Sequence, residues 1–117
     1  MSAMVLAALI GFAAPQAELE YAPGSLAYQA LVQGDLQLAE RQLKAADAGE
    51  QNDPAWLLNY GHFLARSGRV NEASAVFRRV AQAPDSEIVL ASGEVTGTRD
   101  ASRRALQRVR LGSLSAR

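Results

Sequence analysis

A period of 34 residues constrains this chain more than any other feature it carries. Shifting the sequence by 34 places Ala27 on Gly61, Gly34 on Gly68 and Ala39 on Ala73. The same shift places Leu43 on Phe77, Lys44 on Arg78 and Ala46 on Val80. A fixed period of this length belongs to stacked supersecondary units, each of which buries its apolar face against a neighbour. The residue types fit that picture. Small side chains recur where two helices would touch, glycine recurs where a turn is needed, and larger apolar residues recur where a gap must be filled.

The second copy is the more regular. Asp53 is placed to cap a helix with Pro54 at its first position, and Leu57, Tyr60, Gly61 and Leu64 follow at helical spacing. Ser67-Gly68-Arg69 breaks this helix. Asn71 is placed to cap the next, whose buried face is Ala73, Val76, Phe77 and Val80, and Pro84 ends it. In the first copy Ser25 is placed to cap a short helix ending near Gly34, and Asp35 to cap a second one carrying Leu36, Ala39, Leu43 and Ala46. The spacing predicts helix pairs over 25–33 with 36–48 and over 54–67 with 70–82. Glu40 and Lys44 lie one turn apart and are placed to pair, a minor stabilisation.

This pattern resembles the tetratricopeptide repeat. That family has small residues at its eighth and twentieth positions, a large apolar residue at its twenty-fourth and a proline near its end. The second copy supplies Leu57, Tyr60, Gly61, Leu64, Ala73 and Phe77, with Pro84 one residue early. The first supplies Leu26, Ala27, Ala39, Leu43 and Ala46, and Pro23 shortens its first helix. The resemblance spans residues 20–84. It implies a mainly α fold, two antiparallel helix hairpins forming a fragment of a helical solenoid, with repeats at about 20–50 and 54–85.

Residues 86–117 depart from the pattern, because Val95 stands where a third copy needs a small residue. Ile88-Val89-Leu90, the turn signal Ser92-Gly93 and Val95-Thr96 read as a β-hairpin. The alternative is the first helix of a third hairpin, broken by Gly93 and Gly97. From Thr98 the reading is helical over 98–111, with Thr98 or Asp100 as cap and Ala101, Ala105, Leu106 and Val109 as a narrow apolar stripe. Gly112 to Arg117 read as a frayed end. Such a helix suits the polar cap that the end of a repeat array requires.

Ahead of the repeats, Ala3 to Ala14 form an apolar run, and the first charge is Glu18. The run matches the hydrophobic region of a signal peptide and is too short to span a bilayer. Residues 1–17 are therefore expected to be an export signal with Ala17 the last residue before cleavage, or else a buried N-terminal helix. The expectation is a periplasmic or secreted protein, with a cytoplasmic one as the alternative, and no membrane span in the mature chain. One lysine stands against eleven arginines, and alanine is abundant, a bias of high-GC bacterial genomes.

Chemistry finds little footing. With no cysteine, thiolate catalysis and cysteine-ligated metals are excluded. His62 is the sole histidine and no carboxylate or hydroxyl is spaced to make it a base. Asp47, Glu50 and Asp53 fall in the loop between repeats and read as solvated. No phosphate-cradling glycine motif is present. No catalytic residue, cofactor or metal is expected.

Binding is the expected work, and the expected partner is another protein or a peptide. The family resemblance implies a concave groove lined by the first helix of each repeat. On this sequence the groove positions are Tyr28, Leu31 and Val32, then Leu58, His62, Ala65 and Arg66. Apolar and aromatic side chains there suit a peptide or a partner helix, with Arg66 or His62 holding a polar group. Alternatively, the N-terminal segment or the C-terminal helix covers these residues as ordinary core. The family's carboxylate-gripping variant is matched by Asn59 but not by Gly24 or Tyr28, so that mode is not expected. Residues 1–60 carry seven acids and two bases, whereas residues 61–117 carry ten arginines and five acids. This asymmetry leaves a second candidate, anionic-surface or nucleic-acid binding through Arg103, Arg104 and Arg108. No aromatic interleaves those arginines, and export would separate them from nucleic acid.

Overall fold

A computed structural model of the chain describes residues 18–23 and 26–115. The expected signal peptide, the Ser25 cap and Gly24 lie outside the described residues. A 3-10 turn, Glu18–Glu20, precedes six helices and one hairpin. The helices are α1 (Tyr28–Gln33), α2 (Leu36–Ala45), α3 (Ala48–Gln51), α4 (Pro54–Arg66), α5 (Val70–Gln82) and α6 (Thr98–Ser115). Strands β1 (Glu87–Val89) and β2 (Val95–Gly97) lie between α5 and α6.

The helix pairs form where the period places them. Gly34 and Gly68 occupy equivalent turns with φ of 77° and 82°, the left-handed region that only glycine enters without a steric penalty. Asp35 accepts the Leu38 N–H at 3.1 Å and Asp53 accepts the Ala55 N–H at 3.0 Å, as helix caps do. Behind the turns, Ala39, Leu43, Ala73, Phe77 and Val80 are buried in one continuous cluster with Leu57 and Leu64. The Phe77 ring lies directly against Gly61, where no side chain intervenes.

Several boundaries differ from the sequence reading. Helix α1 begins at Tyr28, because Ala27 sits in the left-handed region at φ 71° and offers no side-chain cap. Helix α2 stops at Ala45, and a separate one-turn helix α3 follows, capped by Asp47 through the Glu50 N–H at 2.8 Å. The stretch expected to be loop is therefore partly helical. Asn71 does not cap α5. That helix starts at Val70, one residue ahead of Asn71, and its first turn is held by Arg69 bridging to Glu72 at 2.6 Å.

The hairpin reading of residues 87–97 is correct, with Glu87 facing Gly97, Ile88 facing Thr96 and Val89 facing Val95 in antiparallel register. Ile88 packs inward on the core, and Leu90 is buried. Helix α6 then runs back along α5 and reaches α4. Ala101 and Ala105 are buried on it, and Leu106 and Val109 are half-buried, as the stripe requires. It continues to Ser115, past the expected end. Its cap comes from neither Thr98 nor Asp100 but from Asp85, whose carboxylate accepts the Arg99 N–H at 3.0 Å. Thr98 is occupied otherwise: its hydroxyl accepts the Ser86 N–H at 3.0 Å.

Candidate functional site, a groove that holds a segment of chain

Helices α1, α4 and α6 present side chains toward one face, and the tip of the hairpin closes one edge of it. Four residues of the chain itself, Leu19 to Ala22, run across that face. Asn59, fully buried on α4, brackets Ala22 with both ends of its amide. Its Oδ1 accepts the Ala22 N–H and its Nδ2 donates to the Ala22 carbonyl, each at 3.0 Å. A side-chain amide that satisfies both backbone groups of one residue needs no particular side chain on that residue.

Tyr21 is the anchor. It is 1% exposed, edge-on to His62 with ring centres 5.0 Å apart and to Tyr28 at 6.4 Å. Such edge-to-face contacts add to the area that the ring buries. Its hydroxyl accepts from Arg66 Nη1 at 3.0 Å, and the same guanidinium donates to the Leu31 carbonyl. From the hairpin tip, Ala91 N–H donates to the Tyr21 carbonyl at 3.0 Å and Ser92 N–H to that of Leu19 at 3.4 Å. Glu20 is buried and accepts from Arg108 of α6 at 3.2 Å.

Of the groove residues expected from sequence, Leu31, Leu58 and His62 are buried, not open to solvent. The segment carrying Tyr21 packs across this face and His62 also meets the Phe77 ring at 5.2 Å, so these positions serve as core in this chain. Tyr28, Val32 and Ala65 are half-buried, and Arg66 retains exposed surface. Burial strips water from the His62 ring, and Arg108 and Arg66 disfavour a further positive charge. Its pKa accordingly falls to about 4, and the imidazole is neutral at pH 7.

The three arginines singled out on α6 part company. Arg103 is exposed and only loosely opposed to Asp100 at 3.8 Å. Arg104 binds Glu94 of the hairpin at 3.1 Å, and Arg108 binds Glu20. Two of the three are thus committed to carboxylates of the fold, which does not favour a free basic strip.

Sequence reasoning missed Tyr21, Glu20 and the hairpin tip as parts of this site. Asn59 carried a signal, since it matches an asparagine position on the groove of the family's carboxylate-gripping variant. Its partners lie 37 residues away in sequence, beyond the reach of a local pattern.

A model of the tetratricopeptide repeat family matches residues 30–92, more than half of the chain. The chain belongs to the tetratricopeptide repeat family. No curated protein and no solved structure gives a significant match. Tetratricopeptide repeats are protein-interaction modules, and the face lined by α1 and α4 is the one where this repeat chain holds its own segment. The match also reaches across β1 to Ser92, so it takes in the hairpin tip that closes the groove. Among the described residues, no helix is long and apolar enough to cross a membrane, and no three His, Cys, Asp or Glu side chains are grouped to hold a metal.

Proposed function

We propose that this tetratricopeptide protein is an adaptor that holds a linear segment of another protein on the face formed by α1, α4 and α6. The observation that carries the reading is Asn59 bracketing the backbone of Ala22, since a side chain so placed grips chain as such. An aromatic subsite stands beside it, Arg66 meets the Tyr21 hydroxyl and Arg108 the Glu20 carboxylate, so affinity and orientation have separate sources. We further propose that the adaptor works in a bacterial envelope assembly. The support is the apolar run Ala3–Ala14 followed by Pro15-Gln16-Ala17. Cleavage after Ala17 would make Glu18 the first residue and the groove-bound segment a free end.

A photo-crosslinking residue at Val32, on the rim of the face, tests the binding reading. A control at Ala75, exposed on α5, reports background. A discrete adduct from position 32 and none from position 75 is the expected result. Adducts from position 75 alone would place binding on another surface. N-terminal sequencing of the protein recovered from its host tests export, with Glu18 expected first.

A further inference from the structure

We infer that Glu20, Tyr21 and Ala22 act as an intramolecular ligand, and that the groove selects a partner segment presenting an acid, an aromatic and a small residue in that order. The inference rests on the adaptor reading and names the chemistry of its partner.

Each of the three residues has its own subsite. Glu20 meets a cation, Arg108, and is 5% exposed, so its carboxylate faces protein instead of water. Tyr21 enters a slot between the His62 and Tyr28 rings, where Arg66 meets its hydroxyl. Ala22 is 3% exposed, which leaves little room for a larger side chain, and Asn59 takes both of its backbone groups. Backbone capture supplies affinity without sequence preference. Charge, ring and size at successive positions supply the preference.

Two features make the segment an exchangeable occupant. It lies outside every α-helix and strand, and its backbone meets the body through the Asn59 amide and the hairpin tip. Segments held outside regular secondary structure open at a lower free energy than the helices beneath them. Its connection to α1 also contains Ala27 in the left-handed region, where a residue with a Cβ is strained.

The probe is a fluorescein-labelled peptide of residues 18–23, Glu-Leu-Glu-Tyr-Ala-Pro, titrated by fluorescence anisotropy against the full chain and against full-length Tyr21→Ala. The peptide should bind Tyr21→Ala at least about ten-fold more tightly than the unsubstituted chain, whose own tyrosine competes through its high effective concentration. A peptide with alanine in place of its tyrosine should not bind. A Tyr21→Ala chain that keeps its helical circular dichroism and cooperative melt, yet ignores the tyrosine peptide or binds both peptides alike, overturns the inference. Hydrogen exchange on the unsubstituted chain covers the case in which that variant does not fold. The Ala22 amide should exchange at least about ten-fold faster than that of Leu64 in α4. Equal protection would make the segment permanent core and end the proposal. The adaptor reading stands or falls separately, because crosslinking at Val32 is scored without the peptide.

Discussion

Gly61 lies against the Phe77 ring so closely that a Cβ at position 61 would stand 2.4 Å from Phe77 Cε1 and 2.7 Å from Cζ. Phe77 is fully buried, so the overlap is relieved only by displacing its packed ring or the helices themselves. Gly61→Leu should therefore destabilise far more than Ala55→Leu, which adds the same bulk at a half-buried position early in α4. A gap of at least about 1 kcal/mol is expected, or about 4 °C or more in thermal midpoint for a domain of this size. Equal midpoints would contradict the packing. Phe77→Ala, which empties the opposite half of the same contact, should cost about 3–5 kcal/mol.

That contact was legible in the sequence because it repeats. Gly61 and Phe77 fall on small and large positions of a 34-residue period, and the turns at Gly34 and Gly68 do likewise. The hairpin was legible for a different reason, the β-branched run beside Ser92-Gly93. What escaped was whatever depends on a partner distant in the chain. Nothing local marks Tyr21 as the residue that fills the groove, because its contacts come from α1, α4 and the hairpin tip. Arg104 and Arg108 read as candidates for anion binding for the same reason, since their carboxylates, Glu94 and Glu20, lie 10 and 88 residues away.

Asp85 is a second residue whose role is non-local. It accepts the Arg99 N–H from 14 residues away, outside the helix it caps. Asp85→Ala should lower stability by about 0.5–2 kcal/mol in urea unfolding, the usual cost of losing a helix cap. Asp85→Asn retains an acceptor and should cost less. If the alanine variant unfolds at the same urea concentration as the parent, the cap contributes nothing.

The α6 arginines should separate in the same assay. Arg103→Gln alters an exposed, loosely paired cation and should stay within about 0.5 kcal/mol of the parent. Arg108→Gln removes the partner of a carboxylate that is 5% exposed, and an uncompensated buried acid costs more than about 1 kcal/mol. Matching losses from the two substitutions would mean that the Glu20 pair is no stronger than a surface contact.

His62 sets the last expectation. In the folded chain its pKa is about 4, lowered first by burial and then by the cations Arg108 and Arg66, against an ordinary value of 6.5. Above pH 6.5 the ring is neutral whether the chain is folded or not, so it contributes no pH dependence. Between pH 6.5 and 4 the unfolded chain takes up a proton that the folded chain refuses. Stability therefore falls as the pH falls through this window, and the loss from this one group is complete near pH 4. At 1.36 kcal/mol per unit of pKa difference the whole effect amounts to roughly 3 kcal/mol. His62→Phe keeps a ring against Tyr21 and Phe77, which lie 5.0 and 5.2 Å from the imidazole, and it removes the titration. Every other group is common to both chains, so the difference between them isolates the imidazole. Unfolding free energies measured at intervals from pH 7 to pH 4 should fall more steeply for the parent than for His62→Phe. Parallel curves would show that the imidazole is hydrated in the folded state, and the tight seal of Tyr21 over the groove would fall with that result.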